Sequence, residues 1–312
     1  MKNNIKGLGA AVAGAMVLAA CASAPEAPKV HAPAPGAQAA PNDRALAAQA
    51  SAFESFMRRA RGIDAQFAGP AEVAQALQTG AAHEPQELAS GMIAYAALAA
   101  LQEPRFVAAV RADRDRGDLA RRLAADPQAA MALPGADQAG ARASGALYAQ
   151  GYALAGEGEK VKRAAYSVQH QPWSKAKVPD PAGRLSRVKH ISAEGYRANG
   201  EDPARLQQAL AEGARRAGPP SPVVARGVAL AALSVLGEGG KARALMSEPR
   251  SGSCLRLAKL NLYQCLASSG PHYEDIFCLG QHAMIDPGQC VIDATKPPAA
   301  RQVAVTKASL RR

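Results

Sequence analysis

Side chains able to do acid–base chemistry are densest in one short stretch of this sequence: His272, Tyr273, Glu274 and Asp275, followed by His282 and Asp286. On a helix, His272 and Asp275 stand at i,i+3, and a histidine oriented by a carboxylate is how a general base is assembled. His272, Asp275 and His282 are therefore the catalytic candidates, for hydrolysis or elimination. No nucleophile is marked beside them, because G-x-S-x-G, H-E-x-x-H and a phosphate-binding glycine loop are all absent. Glu274 and Asp275 would equally favour the positive end of a helix dipole. The cluster therefore also reads as a helix start, and on balance no enzyme is expected.

Apart from Cys21, every cysteine lies between 254 and 290. In an oxidising compartment, four clustered cysteines are most simply two disulfides. Cys254 to about Ser268 reads as a helix carrying Leu255, Leu257, Leu260, Leu262 and Leu266. Ser268-Ser269-Gly270-Pro271 reads as a turn, and His272 to about Ile285 as a second helix. Cys254 and Cys265 share a helix face but lie ~16 Å apart along its axis, beyond disulfide reach. In an antiparallel hairpin, facing residues are symmetric about the turn. Cys265 with Cys278, and Cys254 with Cys290, are both centred near 271–272. The nested pairing Cys254–Cys290 and Cys265–Cys278 follows from that one geometry. The sequential pairing stays as the alternative; it requires Cys254 to leave the helix and Asp286-Pro287-Gly288 to fold Cys290 back. A metal site is the competing reading, since Cys278 and His282 are i,i+4 with His272 near. There is no C-x-x-C pair and oxidation competes with thiolate ligation, so no metal and no cofactor are expected.

These residues need a frame, and the composition points to helices. Aromatics make up 4% of the chain, alanine is abundant, and no stretch alternates apolar and polar residues at period two. The fold class expected is all-α: a multi-helix bundle or short helical-repeat array of roughly ten helices, with a disulfide-locked C-terminal αα-hairpin. Gly69-Pro70, Glu84-Pro85, Asp202-Pro203 and Ser221-Pro222 mark helix starts, with Asp202 and Ser221 as N-caps. The first helix, 43–61, presents Leu46, Phe53, Phe56, Met57 and Ala60 on one side and a Glu54/Arg58 pair on the other. The stretches 86–102 and Val223 to Leu236 are apolar over too wide an arc for surface helices, and are the expected core. Residues 137–177 read as mostly helix, with Gly156 and Gly158 as interruptions. Val178-Pro179-Asp180-Pro181-Ala182-Gly183 then separates an N-terminal helical part, 43–178, from a C-terminal part, 184–295. The pattern A-x-G-Y-x-x-x-G-E at 149–157 recurs at 193–201, a spacing suited to a two-helix repeat. Trp173, the single tryptophan, reads as a core anchor at a helix end, with a glycan or membrane-interface contact as the alternative.

At the other end, Lys2 and Lys6 precede the 14 small or apolar residues Gly7 to Ala20, too short a run to span a bilayer. Leu18-Ala19-Ala20-Cys21 follows directly and resembles the lipobox of bacterial lipoproteins. That resemblance implies removal of residues 1–20, diacylation of the Cys21 sulfur and acylation of its new amino group. Ala22 is not the Asp that retains such proteins in the inner membrane, so the resemblance implies the periplasmic face of an outer membrane. Residues 21–42 follow as a tether with prolines at 25, 28, 33, 35 and 41. Such a segment cannot bury enough apolar surface to fold and reaches up to ~60 Å. Residues 296–312 form a basic tail.

The formal charge of +11 falls to +9 once Lys2 and Lys6 leave, and the excess is localised. Lys160, Lys162, Arg163, Lys175, Lys177, Arg184, Arg187, Lys189 and Arg197 stand against Asp180 and Glu194 alone. In an envelope compartment this excludes nucleic acid as the expected partner. It leaves peptidoglycan carboxylates, lipopolysaccharide phosphates, lipid head groups or another envelope protein. A solvated basic face is the plainer alternative. The expected function is a non-enzymatic binding or scaffold module held to the membrane by its lipid. A hydrolase or lyase of cell-wall or other envelope material, using the His272/Asp275/His282 region, is the runner-up.

Overall fold

Proline opens most of the helices. The computed structural model describes residues 41–113 and 115–297, and its first helices are α1 (Pro41–Arg61), α2 (Pro70–Ala81), α3 (Pro85–Ala100), α4 (Pro104–Ala112) and α5 (Arg116–Ala125). The long α6 (Ala136–Val168) and short α7 (Pro172–Lys175) precede α8 (Pro181–Ala193), α9 (Asp202–Ala211) and α10 (Pro222–Leu236). The C-terminal region holds α11 (Pro249–Ser268), α12 (His272–Cys278), a π-helical turn at Leu279–Ile285, and α13 (Asp286–Ala294). In the first turn of a helix the missing N–H of proline costs nothing, and the preceding polar residue often supplies an acceptor. Ser221 Oγ accepts the Val224 N–H at 3.1 Å, Asp180 takes that of Gly183 at 2.8 Å, and Glu84 takes that of Glu87 at 2.6 Å. The fold is all-α: among the described residues, extended pairing is limited to one isolated bridge, Lys177 to Pro271. No described helix is long and apolar enough to cross a membrane. The signal segment 1–20, Cys21, the tether up to residue 40 and the tail from 298 lie outside the described residues.

The core forms where the apolar arcs are widest. Helix α3 is buried through Leu88, Met92, Ile93 and Tyr95, and α10 through Val224, Val228, Leu230 and Leu233. Helix α1 packs on α3 with the expected stripe of Leu46, Phe53, Phe56, Met57 and Ala60, and the Phe53 and Tyr95 rings lie 5.2 Å apart. Glu54 differs from expectation. It is buried, not solvated, with Arg58 Nε at 3.0 Å, and Arg58 also reaches Asp202 at 3.5 Å. Asp202 is not the N-cap of α9 either. Its carboxylate takes the Asn199 N–H at 2.8 Å and the Tyr196 hydroxyl, fastening the 194–201 loop onto α1.

Helix α6 runs unbroken through Gly156 and Gly158. Its glycines meet glycines of the C-terminal segment. A Cβ added at Gly280 would lie 2.5 Å from the Lys162 backbone nitrogen, and one at Gly151 would lie 2.7 Å from the Gly288 carbonyl. This seam lets two helical backbones approach closer than side chains allow. It also accounts for half of the 44-residue pattern. Gly151 sits in mid-α6, whereas Gly195 and Gly200 lie in the irregular stretch after α8, so the two copies are not structural equivalents.

The disulfides are Cys254–Cys290 and Cys265–Cys278, each with a Cα separation of 5.7 Å. The nested pairing holds, on a longer hairpin than expected. Asp286-Pro287-Gly288 does not break the chain; helix continues to Ala294. A proline inside a helix removes a donor and clashes with the carbonyl one turn back. Here the π turn just before it widens the helix, with the Asp286 N–H bonding Gln281 O five residues back.

Candidate functional site

The cations of 160–197 divide by environment. Lys160 pairs with Glu157 at 2.8 Å, Arg187 with Asp180 at 3.5 Å and Arg197 with Glu194 at 3.6 Å. Lys162 Nζ donates to Gln281 Oε1 at 2.8 Å and stands 5.8 Å above the Phe277 ring, while Lys189 lies 5.7 Å above Tyr263. Arg163, Lys175 and Lys177 are exposed and make no ion pair among the described residues. Exposed pairs contribute about 0–1 kcal/mol each, so Lys160 and Arg187 also remain available to a stronger anion. The loop bearing Lys175 and Lys177 is tied to the hairpin turn. Ala176 O accepts the His272 N–H at 3.3 Å, and the Val178 N–H donates to Gly270 O at 2.9 Å.

Arg184 does not belong to this surface. It is 5% exposed, and its guanidinium donates to Asp275 and to the Leu266 carbonyl. Its place in α8 turns it under the hairpin, where it satisfies a carbonyl at the end of α11 and the Asp275 carboxylate at once. Burial pushes the Asp275 carboxyl up, and the Ser269 hydroxyl, at 2.7 Å, and Arg184 offset it only in part, so the group stays above the ordinary carboxylate range.

That pairing also separates the three catalytic candidates. Asp275 is turned to Arg184 and Ser269, and His272 is buried without a hydrogen bond to it. His282 shares a hydrogen bond with Asp286 instead, Nδ1 to Oδ2 at 2.7 Å, one turn further along the π segment. Gln281 Nε2 donates to the other Asp286 oxygen at 2.9 Å. Partial burial raises the Asp286 carboxyl, but the bonds from His282 and Gln281 outweigh it and hold the group below the ordinary carboxylate range. His282 and Asp286 are respectively 20% and 24% exposed, an oriented histidine at the surface. Cys278 is consumed by its disulfide and offers no thiolate beside His282.

A second polar cluster is absent from the sequence reading. Lys259 Nζ reaches Ala81 O at 2.8 Å, Ser192 Oγ at 3.2 Å and His83 Nδ1 at 3.3 Å. Burial lowers Lys259 to about 7. Burial, then the adjacent Lys259, hold His83 well below its usual range against the Gly80 backbone. A serine beside a depressed lysine is one way to build a nucleophile. Ser192 is committed elsewhere: it is 3% exposed, and its hydroxyl faces Val188 O at 2.7 Å and Ala81 O at 2.9 Å. The cluster instead closes the C-terminal end of α2, where Ala81 O lacks an intrahelical partner. Its sequence signal was present. Lys259 falls on the buried stripe of α11 formed by Leu255, Leu262 and Leu266.

No family model, no curated protein and no solved structure matches this chain.

Proposed function

We propose that this chain is a lipid-anchored bacterial envelope protein. On this reading Cys21 carries the lipid and a Pro/Ala-rich tether holds the helical domain away from the membrane, on the periplasmic face of the outer membrane. The domain is a non-enzymatic binding module for an anionic envelope component, either peptidoglycan or lipopolysaccharide, or for an acidic envelope protein. The supporting observation is the set of exposed cations Arg163, Lys175 and Lys177, which make no ion pair among the described residues, with Lys177 linked by its backbone to the turn of the locked hairpin. A cation with no ion pair among the described residues keeps its charge for an external anion, and a rigid mounting reduces the ordering cost when one binds. Arg184 is left out of the binding set because it is buried against Asp275.

The test is co-sedimentation of the full chain with purified sacculi and, separately, with lipopolysaccharide vesicles across a salt series. Binding is expected to fall steeply with salt. It should be lost in the Arg163→Glu, Lys175→Glu, Lys177→Glu variant, whose substitutions are all at exposed positions. Binding unchanged by these reversals rejects the basic surface as the contact.

A further inference from the structure

A cleft of about 250 Å³ opens between the C-terminal end of α6 and the α11–α12 turn. Tyr166, Tyr273 and Phe277 form its apolar walls beside the Cys265–Cys278 disulfide. Tyr166 is 56% exposed, unusual for a large ring, yet its edge meets Phe277 at 6.5 Å with the planes 85° apart. The ring is held in place and still presented to solvent. The disulfide and the glycine seam stiffen the elements beneath it, so little order would have to be acquired on binding.

The rim supplies hydrogen-bonding capacity left over from the fold. The Gln169 side chain has no partner among the described residues. Glu274 spends one oxygen on the Gly270 N–H at 2.8 Å and keeps the other nearly free, with the Tyr273 hydroxyl at 3.4 Å. A purely aliphatic occupant would leave these groups desolvated and unpaired. A sugar ring offers apolar C–H faces to the aromatic walls and hydroxyl or acetamido groups to the rim. The cleft is smaller than the ~300–1,000 Å³ of typical small-molecule sites, which suits one ring of a longer strand.

Charge then narrows the class of glycan. Lys162 and Arg163 lie one turn before Tyr166 on the same side of α6. Lys177 is bridged by its backbone to Pro271, two residues before Tyr273, in the hairpin turn. Positive charge therefore stands beside the α6 wall, where Lys162 lies 5.8 Å above the Phe277 ring, and Lys177 belongs to the segment bridged to the hairpin turn of the opposite wall. We infer that this cleft is a subsite for one sugar ring of peptidoglycan, with the flanking cations meeting the carboxylates carried along the strand. This rests on the envelope-binding reading above and assigns it a ligand.

The test titrates the full chain, purified in detergent, with the N-acetylglucosamine–N-acetylmuramic acid disaccharide and with neutral chitobiose, by calorimetry. Tyr166→Ala removes an exposed ring and should leave the melting temperature unchanged. It is expected to weaken both sugars by about tenfold, the upper range for an aromatic contact. Arg163→Ala with Lys177→Ala should weaken the acidic disaccharide alone. Equal affinity of wild type and Tyr166→Ala for the acidic disaccharide overturns the inference. If sacculus binding nevertheless persists and depends on salt, the envelope-binding reading survives without this cleft. If the wild-type chain binds neither sacculi nor the disaccharide, both fall. Displacement of the sugars by a soluble fatty acid, with Tyr166→Ala abolishing fatty-acid binding alone, would also overturn it.

Discussion

Lys259 shows most directly how a single residue is constrained here. It lies on the apolar stripe of α11 and is 4% exposed, so its ammonium is kept only by the acceptors Ala81 O, Ser192 Oγ and His83 Nδ1. With burial depressing it to about 7 from an ordinary 10.5, the folded chain binds fewer protons than the unfolded chain between those two values. Stability should therefore rise with pH across that window, by up to about 1.4 kcal/mol per pH unit. The opposing groups act higher. Burial pushes Tyr95 up to about 12, and burial with the Asp202 hydrogen bond raises Tyr196, so both begin to cost stability above pH ~10, where unfolded tyrosine ionises. Chemical denaturation at pH 7 and pH 9.5 should show the rise in the wild-type chain and its absence in Lys259→Met. An equal rise in both would assign the pH dependence to other groups. Arg184 teaches the same lesson about charge. Sequence counted it as one cation among nine, but its reach to Asp275 and Leu266 O removes it from the surface.

Among the elements, the C-terminal hairpin was the most legible, because helix periodicity and turn chemistry limit which cysteines can face one another. Nested pairing needed only an antiparallel geometry centred near 271. The continuation of the helix past Pro287 was not legible, since it depends on a π turn that no local propensity announces. The two bridges should not be equivalent. Cys254–Cys290 spans 36 residues and Cys265–Cys278 spans 13. If a bridge acts mainly by restricting the unfolded chain, the longer loop contributes about 1 kcal/mol more. Cys254→Ser/Cys290→Ser should accordingly lower the denaturant midpoint further than Cys265→Ser/Cys278→Ser. The reverse order would show that packing around the inner bridge outweighs chain entropy.

For the whole molecule, the anchor and the domain make separable predictions. If Cys21 carries the lipid, Cys21→Ser should move the chain from the membrane fraction to the soluble fraction of a bacterial envelope preparation, with an unchanged melting curve for the helical domain. Membrane retention of Cys21→Ser would reject lipidation as the tether. Sequence by itself determined the helical class, the central places of α3 and α10 and the proline-marked starts, and it favoured the nested disulfide pairing that the fold adopts. Each of these rests on period, capping or loop symmetry, which act over a few residues or about a single turn. Tertiary structure decided which charged groups are surface and which are core. Glu54, Arg184, Lys259 and Asp275 lie buried among residues up to 178 positions away, and a charge at an apolar position survives there only with partners that the chain supplies from distant helices. It decided likewise that the lookalike segments at 149–157 and 193–201 are a helix interior and a loop, because Gly151 has Gly288 to pack against. The second copy has no backbone pressed against it, and a close approach of two helices is a property of their docking rather than of either sequence.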